Sequence, residues 1–292
     1  MLLPKFDFYE PTKLPEACEI MDDLKDKAHP LAGGTDLLVN MKKKLVAPGH
    51  LVSLARIEEL KGIDASNGIL KIGACVTAAE LAESEVIRGL FGALEGGAAS
   101  LGSPLIQNLA TIGGNLVAAR PAADLPPALM AYGAEVILKR SSSDRSVPVE
   151  DFFKGPGESI LETDEILTQV LLKKPQPASG AAYIKLGVRK TLEISLVSVA
   201  VYIGLDSQDG SIQIARIVLG AVAPTPIRAP SAEKILLGEK PSGALFESAG
   251  NEAANNSRPI DNFRGSAEYR RDMVKVLTRR ALSKAYHDAQ EN

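Results

Sequence analysis

The chain has 292 residues, 45% of them apolar, and a formal net charge of −3. That length accommodates one large domain or two ordinary ones with a full core, and the charge argues against nucleic-acid binding through a broad basic field. Two cysteines, Cys18 and Cys75, with no CxxC, argue against a disulfide framework and against an iron–sulfur or zinc site built by this chain alone.

The first segment, MLLPKFDFYEP, has no basic stretch followed by an apolar one, so it does not read as a secretory signal. No run of about 18 apolar residues follows anywhere, so no membrane span is expected and the protein reads as cytoplasmic. Leu2 to Tyr9 reads as a strand. Ala17, Ile20, Met21 and Leu24 have helical spacing, with Thr12 as the expected N-cap. A strand over His29 to Ala32 leads into Gly33-Gly34-Thr35-Asp36. A helix through Leu37, Leu38 and Met41 then ends in three lysines, which suit its C-terminal dipole. Strands are predicted at Leu51 to Leu54 and Leu70 to Ala74, a helix at Ala78 to Glu83 behind Thr77, and one closely packed helix over Val86 to Leu101. A second glycine loop, Thr111-Ile112-Gly113-Gly114-Asn115, precedes Asp124 and a helical turn at Leu129 to Tyr132. Ala134 to Arg140 is a strand, Ser141 to Arg145 a polar turn, and Val147 to Phe153 and Glu165 to Leu172 complete this half. Residues 173–180 read as a linker. Beyond it, Ile194 to Leu205 and Ile212 to Ala221 form a predicted hairpin, followed by helices near 231–237, 242–256 and 266–287.

The two glycine loops carry the chemistry. A Gly-Gly pair between a strand and a helix permits positive φ and close approach of a ligand to the backbone, and amides at the following helix start suit phosphate oxygens. Neither GxGxxG nor GxxxxGK[ST] is present. A diphosphate held by two separate loops is the alternative, and each loop taken alone is equally well explained as a tight turn. Asp124 reads as a ligand contact or as a helix cap. Lys185, between strand-like residues, reads as a solvated lysine. His29, His50 and His287 lack metal-ligand spacing.

Three ordered motifs go further. AGGTDLLVNMK (Ala32 to Lys42), NLATIGGNLVAARPAADLPPALMAYGAEV (Asn108 to Val136) and RPIDNFRGSAEYRRDMVKVLTRRAL (Arg258 to Leu282) resemble the FAD-binding medium subunit of the xanthine dehydrogenase and carbon monoxide dehydrogenase family. The resemblance implies an α+β fold: a two-lobed FAD-binding domain of the vanillyl-alcohol-oxidase type over 1–175, with lobes of about 1–55 and 56–175, then a smaller α+β C-terminal flavoprotein domain over 181–292. It implies FAD contacts from Ala32, Gly33, Gly34, Thr35, Asp36 and Leu37, and from Thr111, Ile112, Gly113, Gly114 and Asn115. It adds Asp124, Leu167 and Lys185, the last favouring the reduced flavin by its charge. It implies no catalytic acid–base pair and no metal ligands on this chain. The partners implied are a small subunit with two [2Fe–2S] clusters and a large subunit with the molybdopterin cofactor, as a dimer of heterotrimers, with NAD+, a quinone or another acceptor taking the electrons. A stand-alone FAD-dependent oxidase or reductase of the same fold is the alternative. Leu101 stands near where eukaryotic members place an aromatic, and no cysteine-rich insertion is present, which argues against the 4-hydroxybenzoyl-CoA reductase branch. No histidine in either loop marks covalent flavin attachment.

Overall fold

A computed structural model of the protein describes residues 3–189 and 192–292. Leu2, the predicted start of the first strand, and Lys190, the end of the YIKLGVRK motif, lie outside the described residues.

The first lobe is a parallel sheet. β1 (Asp7–Tyr9), β2 (Ala28–Leu31) and β3 (His50–Ser53) lie in the order β1-β3-β2. Parallel neighbours need a crossover, supplied by α1 (Leu14–Leu24) and α2 (Leu37–Lys42). α1 buries Leu14, Ala17, Cys18 and Met21, one stripe at helical spacing, against Val52, Leu54, Ile57 and Leu60. Its N-cap is Lys13, with no side-chain bond, and not Thr12. Thr12 gives its amide to Glu16 Oε2 at 3.2 Å.

The second lobe is an antiparallel sheet in the order β4-β5-β10-β6-β7: β4 (Ile63–Ser66), β5 (Ile69–Gly73), β6 (Glu135–Lys139), β7 (Asp144–Pro148) and β10 (Ile166–Lys173), with β8 (Phe153–Gly155) and β9 (Glu158–Ser159) as a separate hairpin. The turn predicted at Ser141 to Arg145 is therefore shorter, because Asp144 already pairs with Lys139. Helices α3 (Ala78–Glu83), α4 (Glu85–Leu90), α5 (Gly92–Ala99), α6 (Pro104–Gln107), α7 (Ile112–Val117) and α8 (Leu125–Ala131) join the strands. Thr77 caps α3 through a reciprocal capping box with Glu80. The single helix expected over Val86 to Leu101 is broken at Phe91 (φ −131°, ψ 49°), where the ring turns into the core and meets Tyr132 edge-on at 5.1 Å. Tertiary packing overrides helical continuity there. α8 is longer than the predicted turn: Pro126 and Pro127 fall in its first turn, where no intrahelical amide bond is lost.

The second domain is the antiparallel sheet β11 (Ser179–Leu186), β12 (Val197–Leu205), β13 (Ile212–Gly220), β14 (Ile227–Arg228) with α9 (Pro230–Leu236), α10 (Gly243–Asn256) and α11 (Ala267–Glu291) on one face. β11 begins at Ser179, so the linker predicted at 173–180 is shorter. The other face of this sheet sends Tyr183, Ala200, Tyr202 and Val218 into the core of the first domain. Tyr202 lies 5.6 Å from Tyr132, ring to ring. Among the described residues no helix is long and apolar enough to cross a membrane.

Glu165, 2% exposed at the head of β10, fastens the second lobe. Arg145 donates to both its oxygens (Nε 2.7 Å, Nη2 2.8 Å), Arg140 adds a bond at 3.1 Å and the Glu162 amide one at 2.9 Å. Burial pushes its carboxyl up, but these bonds prevail and hold it down at about 2, against an ordinary 4.5. A depressed acid stabilises the fold fully above its unfolded value, and that share is lost as pH falls from 4.5 through about 2. We expect Glu165→Gln to lower stability at pH 7 by roughly 3 kcal/mol and to flatten the acid limb of an unfolding curve followed by circular dichroism; an acid limb as steep as wild type would refute the assignment.

Candidate functional site

A cleft of about 620 Å³ opens between the two lobes of the first domain. One wall is the turn leaving β2 and the start of α2; the facing wall is the segment that runs through α6 into α7. Ala32, Gly33, Gly34, Thr35, Asp36 and Leu37 line it from one side, and Thr111, Gly113, Gly114 and Asn115 from the other. Leu101, Ile106, Leu161, Ile166 and Leu167 supply apolar surface.

The two loops meet backbone to backbone. A Cβ on Gly33 would overlap the carbonyl oxygen of Leu109, so glycine is required there for the contact between the walls. Gly34 has φ +71°, which also suits glycine. Gly113 packs on Ala74, whose Cβ would stand 2.8 Å from an added one.

In their hydrogen-bonding capacity the loops are unequal. Among the described residues, the amides of residues 33–37 donate to no intramolecular acceptor, while the Gly34 and Asp36 carbonyls accept from Leu38 and Asn40. The second loop is the capped first turn of α7. Ile112 donates to the Val76 carbonyl at 2.9 Å, Gly113 to the Ala74 carbonyl at 2.9 Å, Gly114 to Thr111 Oγ1 at 3.1 Å and Asn115 to the Thr111 carbonyl at 2.9 Å. The first loop therefore presents donors, whereas the second presents shape and the side chain of Asn115.

Three sequence-predicted residues stand outside the lining. Ile112 is fully buried in the core. Asp124 and Lys185 pair with each other at 3.0 Å, and Lys185 Nζ also donates at 3.0 Å to the carbonyl of Ser100, the neighbour in sequence of the lining residue Leu101. Tyr183 and Ser195 hydroxyls donate to Asp124 Oδ1 at 2.9 and 3.1 Å. Asp124 occupies the N-cap position of α8 without capping it, because its oxygens are taken by the second domain. Burial raises its pKa above the ordinary value, and Lys185 opposes that shift. Lys185 is accordingly not the solvated lysine its flanking pattern predicts: its side chain is 11% exposed.

Sequence reasoning missed Arg120, His29, Asn40 and Cys75, all of which line the cleft. Arg120 was legible as the one cation in the apolar NLVAARPAAD run after the second loop. Its Nε lies 3.3 Å from Asp36 Oδ1 and its Nη2 donates to Asn40 Oδ1 at 3.0 Å, tying the segment that follows α7 to the start of α2. Burial lifts the Cys75 thiol to about 11, so it stays protonated and unreactive at neutral pH.

Residues 4–175 match the family described as FAD binding domain in molybdopterin dehydrogenase, and residues 182–285 the CO dehydrogenase flavoprotein C-terminal domain. The glyceraldehyde dehydrogenase medium chain of Sulfolobus acidocaldarius is 30% identical over 282 residues, 97% of this chain and 99% of the relative. The carbon monoxide dehydrogenase medium chain of Afipia carboxidovorans is 32% identical over 285 residues, 98% of each. Among solved structures, a carbon monoxide dehydrogenase from Hydrogenophaga pseudoflava, lacking the Mo-pyranopterin moiety of its molybdenum cofactor, superimposes with a TM-score of 0.94 at 31% identity over 99% of both chains. Quinoline 2-oxidoreductase from Pseudomonas putida 86 gives 0.91 at 31% identity, again over 99% of both.

Proposed function

Because the chain belongs to the family of FAD-binding subunits of molybdenum hydroxylases, we propose that it holds FAD in the cleft between its lobes and relays electrons from [2Fe–2S] clusters of a small partner subunit to NAD+, a quinone or another acceptor. The substrate, a purine, another N-heterocycle, an aldehyde or carbon monoxide, is oxidised on a large molybdopterin subunit, in a dimer of heterotrimers. This chain is then the flavin relay of the complex.

The observation that carries the reading is the run of free amides at residues 33–37, set on a glycine turn that opens into the cleft. Oriented backbone donors receive a diphosphate without a cluster of lysines. The cleft volume falls in the range of cofactor sites, about 300–1,000 Å³. Leu101, Ile106, Leu161 and Leu167 give the cleft an apolar surface that would shield a bound ring from water, and the protonated Cys75 leaves the cleft without a thiolate. Bound FAD supplies the redox chemistry, and the protein supplies binding, orientation and environment.

Two measurements test this. The isolated chain, refolded with FAD, should show flavin absorbance and should oxidise no substrate alone. Capture of the native complex should bring iron and molybdenum with it. A chain that takes up no flavin refutes the reading. A yellow chain that turns over a substrate without partners would make it a stand-alone oxidase or reductase instead.

A further inference from the structure

Resting on the FAD reading above, we propose that Arg120 binds the cofactor diphosphate, and that its pair with Asp36 makes the amide turn receptive to that anion.

Arg120 is the one arginine or lysine lining the cleft among the described residues. The backbone that presents it is held in an unusual state. Ala119, immediately before it, has φ +46°, a region that non-glycine residues rarely occupy. Ala119 is 1% exposed, its amide donates to the Leu116 carbonyl and its carbonyl accepts from the Gly157 amide at 2.9 Å. Strain of this kind persists where surrounding bonds fix it, and it gathers at ligand sites. The next residue is Pro121, so the chain is stiff on both sides of Arg120.

The guanidinium reaches across to the opposite wall. Two of its nitrogens engage Asp36 and Asn40, and the third, Nη1, has no partner among the described residues. A guanidinium has five N–H donors in a planar fork, so several remain for phosphate oxygens after these two bonds. Asp36 explains why a cation is needed here. Asp36 belongs to the run of free amides and lines the cleft, so its carboxylate would bear on a diphosphate bound there. An uncompensated carboxylate there would repel the ligand; paired with Arg120 it does not. Arg120 thus has two roles: it neutralises Asp36 and it offers its free edge to the diphosphate.

The test is a titration of the apoprotein with FAD, followed by quenching of flavin fluorescence, across a range of NaCl concentrations. The variants are Arg120→Ala, Arg120→Lys, Asp36→Asn and the double variant Asp36→Asn/Arg120→Ala. We expect Arg120→Ala to weaken FAD binding about 10- to 100-fold at low salt and to make added NaCl favour binding, because salt screens the repulsion from the unpaired Asp36. Arg120→Lys should keep the salt dependence while losing part of the affinity. Asp36→Asn should bind as tightly as wild type or more so, and the double variant should recover part of the loss. The Arg120–Asp36 pair is about half exposed, so the apoproteins should melt within a few degrees of wild type.

Wild-type affinity and salt dependence in Arg120→Ala would overturn the proposal. So would a double variant as weak as Arg120→Ala, since Asp36 would then not be the anion that Arg120 offsets. If Arg120→Ala does not fold, Arg120→Lys decides: unchanged affinity and a flat salt profile would reject the role. A wild-type apoprotein that fails to take up FAD at any salt concentration refutes the FAD reading itself, and is recognised before any variant is compared.

Discussion

Replacing Lys185 by methionine is expected to destabilise the chain by about 3–5 kcal/mol at neutral pH. The lysine is the one charge opposite Asp124, whose side chain is 9% exposed and sits between the domains. Removing the cation leaves that carboxylate with the hydroxyls of Tyr183 and Ser195 alone. Burial already raises the Asp124 pKa, and without Lys185 it rises further. The sign follows: an acid with a raised folded pKa binds protons more tightly in the native state, so it lowers stability as pH rises through the window above its ordinary value. The deficit of Lys185→Met should therefore be full at neutral pH and shrink as pH falls towards the ordinary carboxylate range. Urea unfolding at several pH values reads this directly. Asp124→Asn in the same background should return much of the loss. A pH-independent deficit, or a double variant as unstable as the single, would show that Asp124 is not the source.

Gly33→Ala should have the largest effect on cofactor content. An added methyl would lie on the Leu109 carbonyl, and backbone cannot rotate away as a side chain can. Overpacking of this kind costs about 3 kcal/mol or more. Relief requires the walls of the cleft to separate, which also displaces the free amides. We expect a lower urea midpoint and protein purified with little flavin. Gly68→Ala is the control: nothing lies within 4 Å of its Cβ position, and only its positive φ of +73° is strained. It should cost about 1 kcal/mol and leave flavin content unchanged. Full flavin content in Gly33→Ala would disprove the close-packing argument.

Much of the site was legible because it is local. Ala32 to Leu37 and Thr111 to Asn115 are contiguous motifs, and all but Ile112 reach the cleft. What was not legible depends on residues distant in sequence. Asp124 and Lys185 are 61 positions apart, and nothing near either announces the other. Arg120 and Asp36 are 84 apart. Gly33 reads as a phosphate-loop glycine, yet its lack of a side chain is fixed by the carbonyl of Leu109 on the other wall. The second loop shows the same limit. Its pattern matched a donor loop, but two of its amides go to the local N-cap Thr111, and two go to Ala74 and Val76, bonds that only the packing of α7 beyond the end of β5 creates. The fold followed a similar division. Periodicity marked α1, α3 and the long C-terminal helices, whereas the break at Phe91 came from a ring turning towards Tyr132.

Tyr183, Ala200, Tyr202 and Val218 belong by chain position to the second domain and by packing to the first. The boundary near residue 180 is therefore a seam in the sequence and not a mechanical joint. A second domain exchanged for that of a relative would bring its own substitutes for these four residues, and they would have to fit α5 and α8 of the host. The Asp124–Lys185 pair crosses the same seam, so charge and volume must change together there. Such exchange is confined to matched halves, and the unit that inheritance can recombine freely is the whole chain.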